Sequence, residues 1–147
     1  MDNDVCIDAS LALAWLLPKE RSQATDGLIL QWHTKGMRLI TAPLFHPEVA
    51  SVIRQQVYFK KLPPEEGEDA FSLYLQLKVE TVDEPEIYHL AWELARKFNL
   101  PRTYGMQYLA VAELRDCELW TNDTRFINSL QGKAPRLRWA GDYSQKK

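Results

Sequence analysis

Three acidic residues stand in surroundings that give them more than a solvating role. Asp8 closes the apolar run Val5-Cys6-Ile7, and Asp123 closes the run Leu119-Trp120-Thr121-Asn122. Glu48 follows Phe45 by three residues and precedes Val52 by four, on or beside an apolar helical stripe, where a carboxylate is expected to be partly buried. A short apolar run followed by a helix reads as a strand of a parallel sheet. Side chains at the carboxyl ends of neighbouring strands point into one shared crevice. Carboxylates gathered there are hard oxygen donors of the kind that hold Mg²⁺ or Mn²⁺. Each acid also has a plainer use. Asp8 and Asp123 precede helical segments, whose first turns aspartate caps well. Glu48 could be paired with an arginine instead of a metal, since a partly buried carboxylate needs one or the other.

The elements that would position these acids alternate along the chain. Strand Val5–Ile7 is followed by a helix from Ser10 to Leu17, stopped by Pro18, and by a second helix from Ser22 to Thr34, ended by Gly36. Arg38 to Thr41 is a strand, and Leu44 to Phe59 a helix with Phe45, Val49, Val52 and Ile53 on one face. Pro64 to Leu77 opens with proline and two glutamates, as helix N-termini favour. Val79 to Val82 alternates as a strand, and Pro85 opens a helix with Ile87, Leu90, Ala91, Leu94, Ala95 and Phe98 at helical spacing. Tyr104 to Arg115 is a helix, Glu118 to Thr121 a strand, Thr124 to Leu130 a short helix, and Arg136 to Trp139 a final edge strand. Strands separated by helices imply a parallel sheet between helical layers, an α/β/α sandwich.

Composition fits one domain over residues 1–147, with 46 % hydrophobic and 26 % charged residues. A net charge of −2 excludes a global basic footprint for nucleic acid. The run Ala9 to Leu17 is preceded by acidic rather than basic residues and is too short to span a bilayer, so the chain is expected to be cytoplasmic, with no membrane association. Cys6 and Cys117 are then expected to be reduced. His33, His46 and His89 are too scattered for a zinc motif, and no G-x-G-x-x-G or P-loop pattern is present. His46, two residues from Glu48, is expected at the surface. Arg54 and Arg125 flank two of the acids and could meet a phosphate or a carboxylate.

Four stretches, V-C-I-D-A-S-L-A-L-A-W-L-L, A-P-L-F-H-P-E-V-A-S-V-I-R, T-Y-G-M-Q-Y-L-A-V-A-E and E-L-W-T-N-D-T-R-F, occur in that order. They resemble the four motif regions of PIN-domain proteins, especially the VapC-like toxins of prokaryotic toxin–antitoxin systems. The resemblance runs from Val5 to Phe126 and implies a ribonuclease that uses Mg²⁺ or Mn²⁺. It places the metal-binding and catalytic carboxylates on Asp8, Glu48 and Asp123, with Ser10 and Thr121 beside them. It also implies an RNA substrate, an antitoxin partner and a homodimer. The aromatic-rich segments Val57 to Phe59 and Phe71 to Leu75 supply apolar surface for such partners.

The chain departs from the family at one slot. Where the third motif reads Tyr-Asp-Ala-x-Tyr-Leu-Ala, this sequence has Tyr104-Gly105-Met106-Gln107-Tyr108-Leu109-Ala110. Glu113 is two helical turns, roughly 12 Å, beyond Gly105, and Asp116 is farther. Asn122 could offer an amide oxygen beside Asp123. Two readings therefore stand. One is a metal-dependent endoribonuclease working with three acids. The other is a catalytically impaired PIN domain that binds RNA or a protein partner without cutting.

Overall fold

The computed structural model describes residues 3–143. In chain order these form β1 Asp4–Ile7, α1 Ala9–Leu16, α2 Gln23–Thr34, β2 Arg38–Thr41, α3 Phe45–Tyr58, α4 Pro64–Leu77, β3 Glu80–Thr81, α5 Glu86–Lys97, α6 Tyr104–Leu114, β4 Leu119–Thr121, α7 Thr124–Ser129 and β5 Leu137–Trp139. Each element expected from the sequence is present. The largest difference is β3, where two residues pair instead of four. It is an edge strand with both residues exposed, and Val82 turns out of the ladder into the core after donating its N–H to the Thr41 carbonyl.

The five strands are all parallel, in the order β3-β2-β1-β4-β5. Parallel crossovers are right-handed. Connections running from β1 towards β3 therefore place α1 to α4 on one face, and those running towards β5 place α5 to α7 on the other. The packing agrees: α3 lies against α4 and α1, and α5 lies against α6. The result is a three-layer α/β/α sandwich whose strand order reverses between β1 and β4. Ligands of open α/β sheets bind at that reversal, outside the carboxyl ends of the strands.

Local sequence explains the helices. In α5, Ile87, Ala91, Leu94 and Ala95 face the core, while Tyr88, Trp92 and Arg96 recur every four residues on the outside. α6 is different: Met106 and the run Tyr108 to Ala112 are all buried, because the helix lies between α5 and the sheet. Pro64, Glu65 and Glu66 occupy the first turn of α4, where the missing proline N–H costs nothing and the helix dipole favours acids. Cys6 and Cys117 are buried free thiols. No helix among the described residues is long and apolar enough to cross a membrane.

The two sides of α5 should respond differently to truncation. Ile87→Ala removes a fully buried side chain and is expected to cost about 2–5 kcal/mol in urea unfolding. Trp92→Ala, at a side chain 65 % exposed, should change monomer stability by no more than about 0.5 kcal/mol.

Candidate active site

The register of the central strands decides what stands at the crevice. β1 and β4 pair with Cys6 opposite Leu119 and Ile7 opposite Trp120, so the next residues, Asp8 and Thr121, fall side by side just past the strands. The Asp8 N–H reaches the Trp120 carbonyl at 3.4 Å, carrying the pairing one step further. Asp8 is only 5 % exposed and Thr121 is fully buried. A charge so placed needs donors. Asp8 Oδ1 accepts from the Leu11 N–H at 3.0 Å and from Ser10 Oγ at 2.8 Å; Oδ2 accepts from Thr121 Oγ1 at 2.5 Å. Ser10 Oγ in turn accepts from the Asn122 N–H and Thr121 Oγ1 from the Asp123 N–H. The β1–α1 turn and the β4–α7 turn are thereby tied together through two hydroxyls.

Burial pushes the Asp8 carboxyl up to about 6; the donors from Thr121, Leu11 and Ser10 oppose that, and the Glu48 charge adds to it. A proton on Asp8 also completes the local hydrogen bonding. Ser10 Oγ and Thr121 Oγ1 are 3.0 Å apart, so a protonated Oδ2 can donate to Thr121, Thr121 to Ser10, and Ser10 to Oδ1. When Asp8 is ionised, both hydroxyl protons go to the carboxylate and the two hydroxyl oxygens face each other without a proton between them.

The cleft next to Asp8 has a volume of about 330 Å³, and Glu48 and Asp123 both line it. Glu48 sits in the first turn of α3 and is exposed, not partly buried as the helical stripe suggested. The stripe itself runs through Phe45, Val49 and Ile53, and Glu48 lies at its edge, turned to the open cleft. Its anchor is Tyr108, whose hydroxyl donates to Glu48 Oε1 at 2.8 Å. Burial, and then the Glu48 charge, raise the Tyr108 phenol far above its usual value, so it remains a donor. Asp123 is partly exposed; its Oδ1 accepts the Arg125 N–H at 2.9 Å, and the Arg125 guanidinium lies 3.7 Å away. Asp8 and Asp123 therefore do cap α1 and α7, while also facing the cleft.

Gly105, which the sequence resemblance sets in the slot of the third motif's aspartate, lines the same cleft. A Cβ there would meet the Phe126 ring at 3.4 Å, an ordinary contact, so the ring borders the position without closing it. Among the described residues, no three His, Cys, Asp or Glu side chains are gathered closely enough to surround a metal ion. Neither Glu113 nor Asp116 is part of the cleft lining.

The other residues singled out from sequence lie elsewhere. His46 is half-buried, with Nδ1 2.6 Å from the Tyr74 hydroxyl, and joins α3 to α4 rather than facing the cleft. Arg54 stacks over Tyr58, and Arg125 is 94 % exposed beside Asp123. Three cleft residues escaped sequence reasoning: Arg102, Tyr104 and, as the partner of Glu48, Tyr108. Tyr104 and Tyr108 are four apart on α6, a spacing that marks a shared face but not what that face meets.

A PIN domain family model matches residues 5–129. The chain belongs to the PIN domain family. This PIN domain is 28 % identical over 131 residues to the VapC9 ribonuclease of Mycobacterium tuberculosis and to a VapC ribonuclease of Mycobacterium bovis. Each match covers 89 % of this chain and 94 % of the relative. The fold is similar to that of the Pyrobaculum aerophilum protein PAE2754, with a TM-score of 0.65 at 16 % identity, covering 96 % of this chain and 93 % of the other. It is also similar to a chain of Rickettsia felis VapBC2, solved bound to a promoter DNA fragment, with a TM-score of 0.64 at 12 % identity, covering 92 % and 96 %.

Asp8→Asn reproduces the protonated pattern, because an amide nitrogen can donate to Thr121 while the amide oxygen still accepts from Ser10 and Leu11. The folded carboxyl titrates at about 6 against a reference of 3.8, so its contribution to stability is complete below about pH 4 and is lost as pH rises through 6. In divalent-free buffer the wild type minus Asp8→Asn difference should therefore fall across that window, by about 2–3 kcal/mol. At pH 7.5 the variant should melt higher than the wild type. A difference that is flat with pH would refute the assignment.

Proposed function

We propose that this PIN domain is an endoribonuclease of the VapC type that hydrolyses RNA phosphodiesters at the cleft between β1 and β4. The observation that carries this reading is the convergence of Asp8, Glu48 and Asp123 on one cleft at the point where the strand order reverses. The match to VapC ribonucleases over nearly the whole chain supports it.

The donor set suits Mg²⁺ or Mn²⁺ of a particular kind. Asp8 and Glu48 are close enough for their charges to oppose one another, a repulsion that a divalent cation would relieve. Both offer hard oxygens, and Mg²⁺ is content with one or two protein carboxylates and several waters. We assign Asp8 and Glu48 as the principal holders and Asp123 as the third acid of the cleft. When bound, such an ion supplies a water activated for attack and neutralises charge on the phosphate. The protein's own contributions are distinct. Ser10 and Thr121 fix the Asp8 carboxylate, Tyr108 fixes Glu48, and Arg102 on the cleft wall is placed to meet a phosphate oxygen.

We further propose that the chain acts as one PIN unit in the cytoplasm, as a homodimer restrained by an antitoxin. The exposed Tyr58, Phe59, Phe71 and Leu75, contributed by α3, the residue that follows it and α4, support an apolar interface. A second reading is favoured by Gly105 and by the absence, among the described residues, of a gathered three-acid cluster. In it the PIN domain retains the cleft as a binding site and no longer cuts.

Wild type, Asp8→Asn and Gly105→Asp should be compared on small structured RNAs with Mg²⁺ and with Mn²⁺. The nuclease reading expects slow cutting by wild type, none by Asp8→Asn above a metal-free control, and faster cutting by Gly105→Asp. Cutting by Gly105→Asp alone establishes the second reading.

A further inference from the structure

The carboxylate cleft does not end at its own walls. Leu100 and Ser129 also line a second groove, of about 670 Å³, formed by the turn after α5 and the turn after α7. The two concavities are therefore contiguous. The second is lined by Lys97 and Lys133 together with Asn99 and Gln131, and no acidic residue lines it. Neither lysine has a carboxylate within 4 Å among the described residues, whereas seven of the nine arginines are ion-paired. Both are exposed.

This distribution of charge answers a difficulty in the catalytic cleft. A phosphodiester approaching Asp8, Glu48 and Asp123 meets three carboxylates on a chain of net charge −2. Like charges repel, and more strongly near a protein surface than in bulk water. Cations must lie along the path for a polyanion to settle there. Arg102 supplies one in the cleft itself, and Lys97 and Lys133 supply two more where the cleft continues. Tyr104, 59 % exposed, also lines the cleft, where an unpaired base can stack on its ring.

The geometry points to the Lys97–Lys133 groove as the binding track for single-stranded RNA on one side of the phosphate held in the carboxylate cleft. This inference rests on the ribonuclease reading and extends it to a surface outside the acid site. Two exposed lysines facing a groove make sequence-independent phosphate contacts, and these set affinity and its dependence on salt. The groove thus strengthens binding for any sequence, and base preference is left to the cleft.

The test is fluorescence anisotropy with a labelled single-stranded oligoribonucleotide in EDTA, which prevents divalent-dependent cutting of the probe. Lys97→Glu with Lys133→Glu should weaken binding at least about tenfold at low salt and reduce the slope of log K against log salt by about 1.4, two contacts at about 0.7 each. Lys97→Gln with Lys133→Gln should lower the slope in the same direction and serves in place of the reversal if that variant melts early. Lys19→Glu with Lys35→Glu changes net charge equally on exposed residues outside both grooves and should leave affinity within twofold. Unchanged affinity in the Lys97/Lys133 pair overturns the track, as does an equal loss in the Lys19/Lys35 pair. Tighter binding of duplex than of single-stranded RNA overturns the choice of occupant. A wild type that binds no RNA in EDTA also overturns the track, and cutting by wild type with Mg²⁺ or Mn²⁺ then shows that the ribonuclease reading stands without it.

Discussion

One buried carboxylate organises this molecule's working end. Asp8 lies past the last paired residue of β1, with almost no access to solvent, and its two oxygens take three donors from the β1–α1 and β4–α7 turns. A carboxylate in that position is expensive to keep charged. What makes it tolerable is the N-terminus of α1, which offers the Leu11 N–H, together with two hydroxyls that are themselves positioned by backbone donors. Residues more than a hundred positions apart are locked into one arrangement because neither turn satisfies its polar groups alone. The crevice exists where it does because the parallel register leaves Asp8 and Thr121 adjacent when the ladder stops.

Gly105 leaves its part of the cleft wall without a charge. The cleft wall at that point is Phe126, and the α6 backbone continues undisturbed through Met106 and Tyr108. An aspartate there, where the resemblance would set one, would strengthen the attraction for a cation and at the same time increase the repulsion of a phosphate. These consequences pull in opposite directions for a metal-dependent nuclease and in one direction for an RNA-binding module. The two functional readings differ in which of these dominates, and the carboxylates that remain are common to both.

The surface is divided by chemistry. Apolar side chains are concentrated on α3 and α4 and on the outer stripe of α5, while the exposed Lys97 and Lys133 lie along the continuation of the cleft between the α5 and α7 ends. A cation in the last turn of a helix is favoured by the helix dipole, so Lys97, the last residue of α5, is placed at little structural cost. A chain with no overall basic character can therefore still offer a local path to a polyanion.

The alternation of apolar runs with helical stripes determined the parallel α/β architecture, because side-chain periodicity of two or near four is imposed by local backbone geometry. It also marked Asp8 and Asp123, since an acid closing an apolar run is visible in one dimension. The helical stripe marked Glu48, and the motif order, read against a known family, added Ser10 and Thr121 and singled out Gly105. What sequence misjudged was the burial of Glu48, because two positions one residue apart on a helix edge differ in exposure only through what packs beside them. What it missed was Tyr108 as the donor to Glu48, sixty residues away, and the Lys97–Lys133 groove, assembled from two turns adjacent only in space. Local patterns follow from the chain's own geometry, whereas a side chain's partners depend on crossovers and strand register, which only the folded sheet decides.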